Sequence, residues 1–203
     1  MVSNTRLRVT DRIRILAPTF LEYLAARSRT SRAEWAGVRL ERRTASGPTI
    51  VCGLAGALAA DLPAGTVVIP RRVALRGGEL RTCDESLNAA LHEAARHLGC
   101  EIVGGDLLTA GRLIVGKERE MWAQRGFVAV DMETGLVPDP VSTVRVVLDS
   151  PDADLSAAWD RPLKALFTPS LLTQTARLAI DGPRYAFRSA QIAARALSLL
   201  EAT

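Results

Sequence analysis

Apolar residues along this chain fall in short runs, and two periods alternate between turn residues. Arg12-Ile13-Arg14-Ile15-Leu16 alternates and predicts a strand that Pro18 ends. Thr19 opens a helix through about Ser28, with Phe20, Leu21 and Leu24 on one side. Val38-Arg39-Leu40-Glu41-Arg42 alternates cleanly and predicts a half-exposed strand. Short apolar strands follow at Thr49 to Cys52, Thr66 to Ile69 and Val73 to Leu75. Another runs from Leu80 to Cys83 after the Gly77-Gly78 turn. Asp84 caps a helix with Leu87, Leu91, Ala94, Ala95 and Leu98 inward and Gly99 as its stop. Ile102-Val103 reads as a buried strand, Leu113 to Val115 as a further apolar run, and Glu118 to Arg125 as helix. Phe127 to Val130 and Val144 to Leu148 are continuously apolar, as strands covered on both faces are. Two helices close the chain, Pro162 to Ile180 and Arg184 to Leu200, parted by Asp181-Gly182-Pro183. Strands alternating with helices predict a three-layer α/β/α sandwich around a mixed central sheet, one domain over 1–203 with a helical pair at about 162–200.

Composition narrows the class. At 203 residues and 48% apolar content the chain can bury a core, and disorder, collagen and coiled coil are disfavoured. The longest apolar run, near Ile50 to Ala60, is shorter than a membrane span, and no secretory h-region follows Arg6, Arg8, Arg12 and Arg14, so a cytoplasmic protein is expected. Cys52, Cys83 and Cys100 are too few and scattered for a disulfide framework or zinc site, and His92 and His97 are five apart, so no metal is expected. Charge is uneven: residues 1–43 carry +6, 44–160 carry −6 and 161–203 carry +4. Basic ends suit nucleic acid, anionic lipid or an acidic neighbour, but no aromatic-rich basic stretch supports nucleic acid.

Ligands in open α/β sheets gather at the carboxyl ends of central strands, where this chain places three clusters: Gly53-Leu54-Ala55-Gly56, Asp131-Met132-Glu133-Thr134-Gly135, and Asp149 after Arg145. Each also has a plain structural reading. The glycines permit tight packing, Asp131 caps a helix with Glu133 near its N-terminus, and Asp149 begins a loop.

The order Gly-Leu-Ala-Gly, Gly-Asp-Leu-Leu-Thr (Gly105 to Thr109), Val-Asp-Met-Glu-Thr (Val130 to Thr134) and Arg-Val-Val-Leu-Asp (Arg145 to Asp149) resembles the nucleoside phosphorylase and nucleosidase superfamily over roughly residues 12 to 150. The stretch Gly53 to Pro70 and the tail from Pro169-Ser170-Leu171-Leu172 through Ala196 resemble more narrowly the hopanoid-associated phosphorylases. The resemblance implies cleavage of the N-ribosyl bond of an adenine nucleoside, adenosylhopane in the narrower form. It implies no cofactor beyond phosphate as a co-substrate, and at least a dimer.

It also assigns roles. Asp149 matches the acid at the purine N7, which needs a raised pKa to keep its proton. Glu133 matches the ribose-binding glutamate, whose charge also favours a cationic sugar. Met132 matches the methionine against the ribose, Ala55 and Gly56 small residues beside the base, and Arg145 an organiser behind the acid. Glu22 has two readings: the glutamate that activates water in nucleosidases, or the return arm of a Thr19-x-x-Glu22 capping box.

Two departures stand out. Val51 and Leu54 occupy positions where phosphorylases usually carry arginine and serine or threonine, and the interval from Arg43 to Ile50 is too short for the family's turn and helix. A phosphate-facing element is therefore expected to be shortened or absent, which leaves hydrolysis, phosphorolysis and non-catalytic binding open. Arg184, Arg188 and Arg195 fall near one face of the last helix, with Tyr185, Ile192, Ala196 and Leu199 opposite. This is the pattern either of an ordinary solvated face or of a helix at the inner membrane surface.

Overall fold

The longest apolar strand, β3 (Thr49–Ala57), organises the molecule by pairing with three others. Its first half pairs in parallel with β1 (Arg14–Ala17), and its other edge pairs in parallel with β10 (Val141–Asp149). Its last residues meet β9 (Phe127–Asp131) antiparallel, Gly56 opposite Val130. The computed structural model describes residues 13–42, 47–75, 78–151 and 172–202.

Around these run β2 (Ala33–Trp35), β4 (Val67–Val68), β5 (Arg72–Leu75), β6 (Leu80–Thr82), β7 (Ile102–Val103) and β8 (Asp106–Thr109). The order is β6-β5-β8-β9-β3-β10-β4-β7, with β1 paired to β3 and β2 to β1. The sheet is mixed, as predicted.

Strand alternation sorts the core. Ile50, Cys52, Val144 and Val146 face α2 (Glu85–His97) and α4 (Leu172–Glu201), together with Ala26 of α1 (Phe20–Arg27). Val51, Ala55, Ala57 and Val147 point to the other face, where α3 (Lys117–Gln124) packs Trp122 against Leu58, Leu108 and Val130. Arg145 shares that second face by parity with Val147.

Local chemistry explains the helix ends. Asp84 accepts from the Leu87 N–H at 2.9 Å, Glu85 lies in the first turn and Arg96 and His97 in the last, and Gly99 follows at φ +65°. Thr19 and Glu22 form the complete capping box.

Several expectations are corrected. Val38 to Arg42 is not a strand: Val38–Leu40 is a single 3-10 turn, because Arg39 and Leu40 hold φ of 57° and 54° and turn the chain back after β2. The strand of this region is Ala33–Trp35. Asp106–Thr109 forms a strand that the reading of the apolar runs did not mark. Leu98 caps α2 and is 36% exposed rather than inward.

The helical pair is, in its described part, one helix. Asp181-Gly182-Pro183 does not end it; Pro183 sits inside α4 on the solvent side. A proline there costs about 3 kcal/mol. The buried stripe Tyr185, Ala186, Ser189, Ala190, Ile192, Ala193 and Ala196 carries the helix across the sheet, and an Arg177–Asp181 ion pair at 3.6 Å braces the turn before the proline. The predicted start from Pro162, and Pro169 to Leu171 of the tail motif, lie outside the described residues. No helix among the described residues is long and apolar enough to cross a membrane.

Candidate active site

Two glycines of β3 define two adjoining charged groups. At Gly53 the missing side chain is the point. A Cβ there would lie 2.3 Å from Glu22 Oε1 and 2.8 Å from an Arg145 Nη. Glu22 comes from the first turn of α1, at the carboxyl end of β1, and is 3% exposed. One of its oxygens accepts from the Thr19 N–H and the other from the Leu54 N–H, both at 2.7 Å. The capping-box reading holds, and the same residue projects onto the strand that carries the glycine motif.

Arg145, opposite Gly53 in register, is fully buried. It pairs with Asp131 at 2.6 Å and lies 3.6 Å from Glu133, while it donates to Thr134 Oγ1 at 2.9 Å and the Leu54 carbonyl at 3.3 Å. The antiparallel β9 brings Asp131 and Glu133 there, since its carboxyl end runs back along β3. Asp131 also accepts from Thr109 Oγ1 at 2.6 Å and, at 3.1 Å, from the Thr134 N–H at the start of the 3-10 turn Thr134–Leu136. Glu133 accepts at 3.3 Å from the Arg39 N–H, which the left-handed Arg39-Leu40 pair presents. Met132 between them is half-buried.

Asp131 and Glu133 thus share one guanidinium, and Glu22 acts on it electrostatically. Burial first, then the Asp131 and Glu22 carboxylates, pushes the Glu133 carboxyl up to about 8, against the pull of Arg145 and the Arg39 N–H. Burial works against the Arg145 charge, but Asp131, Glu133 and Glu22 outweigh it and raise its pKa. Burial, with Glu22 behind it, pushes the nearby Cys52 thiol up to about 12.

The second group lies at Gly56. A Cβ there would meet Asp149 Oδ1 at 3.1 Å and Arg119 Nη1 at 3.3 Å. Arg119, on α3 and 1% exposed, donates to the Asp149 carboxylate and to the Ala57 carbonyl. Asp149 is 3% exposed and opposite Gly56, past a register shift after Val147. The residue that the resemblance makes the acid is thus buried against the Arg119 guanidinium.

The structure therefore brings Glu22, Glu133 and Arg145 together at Gly53, and Asp149 with Gly56 beside buried Ala55. Sequence reasoning missed Arg119, Thr109 and the left-handed Arg39. One signal pointed to Arg119: it lies three residues before Trp122, hence on the same face of α3. Val51 and Leu54 take structural roles. Val51 is fully buried among Leu16, Ala36, Val137 and Val141, while the Leu54 backbone serves Glu22 and Arg145.

No family model and no curated protein matches the chain. Solved structures match its fold. A futalosine hydrolase mutant from Helicobacter pylori superposes with a TM-score of 0.68 at 13% identity, covering 92% of this chain and 98% of that one. A 5'-methylthioadenosine/S-adenosylhomocysteine nucleosidase from Neisseria meningitidis, in complex with methylthio-immucillin-A, gives 0.67 at 16% identity with the same coverage. The S-adenosylhomocysteine nucleosidase from Streptococcus pyogenes gives 0.64 at 17%, covering 92% and 96%. This chain's mixed sheet with flanking helices superposes on these structures over 92% of the chain, which gives it the nucleosidase fold.

Proposed function

We propose that the protein hydrolyses the N-ribosyl bond of an adenine nucleoside. The observation that carries this is the excess of carboxyl groups, Glu22, Asp131 and Glu133, around the single Arg145. Cleavage of an N-ribosyl bond leaves positive charge on the sugar, and a preorganised acidic cluster in a buried site stabilises that charge as it grows. Glu133 binds the sugar hydroxyls, Met132 packs against the ribose, and Ala55 and Gly56 leave room for the base. Glu22 orients and deprotonates the attacking water. Its oxygens retain accepting capacity beyond the Thr19 and Leu54 bonds, since a carboxylate offers about four lone-pair sites. Water is favoured over phosphate because buried Val51 and the Leu54 backbone stand where phosphorylases carry phosphate-binding side chains. The fold neighbours that carry nucleoside analogues point to the same substrate class. The likeness of the Gly53 to Pro70 stretch to hopanoid-associated phosphorylases supports an adenosyl-hopanoid as the finer substrate.

The Arg119–Asp149 pair favours a second reading, a nucleoside-binding protein without turnover, because an ion-paired Asp149 is a poor proton donor to the leaving purine. Within the enzymatic reading, the guanidinium beside Asp149 is the group that relieves negative charge on that purine by hydrogen bonding. Incubating the full chain with soluble adenine nucleosides and with adenosylhopane, with and without phosphate, separates these readings. Adenine release without phosphate supports hydrolysis. A sugar 1-phosphate product means phosphorolysis. Calorimetric binding with no adenine from any substrate means the binding protein.

A further inference from the structure

The outer sides of α1 and α4 carry a surface that the site does not use. On α1, Phe20 is 53% exposed, Leu21 39% and Leu24 50%, on the side away from buried Glu22 and Ala26. On α4, Ile180 is 72% exposed and Phe187 39%. Ile180, Arg184 and Phe187 follow one another at i, i+4 and i+7, so they form one stripe. The two helices are joined here, since a Cβ on Gly182 would touch Leu21 Cδ2 at 3.7 Å. Trp35 of β2 extends the patch, with its ring 5.2 Å from Phe20.

Arginines border these apolar groups. The Arg29 guanidinium lies 4.1 Å over the Phe187 ring and the Arg42 guanidinium 3.6 Å over the Trp35 ring, while Arg27 and Arg184 are exposed. Stacking in this way keeps a guanidinium parallel to the surface with its donors at the rim.

We propose that this face docks on an anionic lipid surface. Exposed leucine, isoleucine and phenylalanine side chains reach the acyl boundary, Trp35 suits the headgroup level, and the arginines meet lipid phosphates. Charge decides the occupant. A second copy would set the same arginines against each other across an apolar centre, whereas an anionic bilayer supplies both the apolar layer and the opposite charge. Glu22 lies on the inner side of the same short helix, so docking places the candidate site within one helix width of the lipid. The proposal stands apart from the nucleosidase reading and survives its failure.

The test is flotation of the full chain with phosphatidylcholine vesicles, neutral or containing about a third phosphatidylglycerol. Wild type, Leu24→Ser/Ile180→Ser and Arg29→Gln/Arg184→Gln are compared, with melting curves and adenine release from a soluble nucleoside as controls. The expected result is wild-type flotation with anionic vesicles only, reversed by salt and reduced about tenfold or more in both variants while melting stays near wild type. The charge variant keeps the test valid if the apolar one misfolds. Absence of flotation, equal flotation with neutral vesicles, or variants that bind as wild type does would overturn the proposal. A wild-type oligomer that Leu24→Ser/Ile180→Ser splits, with no vesicle binding, would assign the face to a second copy instead.

Discussion

The Arg119 guanidinium holds the Asp149 carboxylate across the carboxyl ends of β3 and β10, and both residues are almost fully buried. Gly56 provides the space in which they meet. A buried pair of this kind is costly to form and more costly to break from one side. Arg119→Met should therefore lose about 3–5 kcal/mol of unfolding free energy, because it removes one side of a buried ion pair. Arg119→Met/Asp149→Leu should recover most of that loss in urea titrations. Equal losses in the single and double variants would show that the pair is not coupled.

Gly53 makes a second sharp prediction. Gly53→Ala places a methyl group within 2.3 Å of Glu22 Oε1, so the carboxylate must leave Leu54 or the strand must shift. A loss of about 1–3 kcal/mol is expected from the overpacking. Turnover should fall much further than the folded fraction does, as measured by activity per folded molecule. A Gly53→Ala protein with wild-type turnover would remove Glu22 from the chemistry.

Glu133 sets opposite pH trends for stability and activity. Its carboxyl is raised to about 8 in the folded protein from an ordinary 4.5. Between those values the folded state holds a proton that the unfolded state has released. This contribution to stability is therefore complete below pH 4.5 and is lost as pH rises through 8. Ionised Glu133 is the better acceptor for sugar hydroxyls, so kcat/KM should rise over the upper part of the same window. Glu133→Gln should flatten both profiles, which thermal melts and rates across pH read directly. An unchanged stability profile would show that Glu133 does not titrate there.

Cysteine chemistry gives a simple check on packing. Burial pushes Cys52 up to about 12 and Cys83 up to about 11, whereas Cys100 is only half-buried. A thiol reagent on the folded protein should label one of the three cysteines quickly, and mass spectrometry should find the label on Cys100. Fast labelling of Cys52 would contradict the buried cluster around Gly53.

Much of this architecture was legible in the chain because the determining signals are local. Asp84 and Gly99 bracket α2, Thr19 and Glu22 write a capping box, and the apolar runs of β3, β9 and β10 mark covered strands. The failures arose where tertiary context decided. The alternation from Val38 to Arg42 fits a strand, but nothing in it reveals that Arg39 and Leu40 take left-handed backbone to reach Glu133. Pro183 looks like a break because the buried stripe that carries α4 past it depends on the sheet beneath. Arg119 hides in Lys117-Glu118-Arg119-Glu120, a sequence that reads as a solvated helix face. Only the cleft at Gly56 makes it a buried partner of Asp149.

The most direct test of the proposed hydrolysis uses Glu22→Gln, because glutamine also serves in a capping box and the helix start should survive. Adenine release in phosphate-free buffer is measured for wild type and for Glu22→Gln, with melting curves beside them. Wild type should release adenine and free sugar without phosphate. Glu22→Gln should fold with a lower melting point, since its amide offers one acceptor oxygen to the Thr19 and Leu54 N–H groups, and should turn over about 10²–10⁴-fold more slowly per folded molecule. No adenine from wild type, or a Glu22→Gln protein as fast as wild type, would contradict the account.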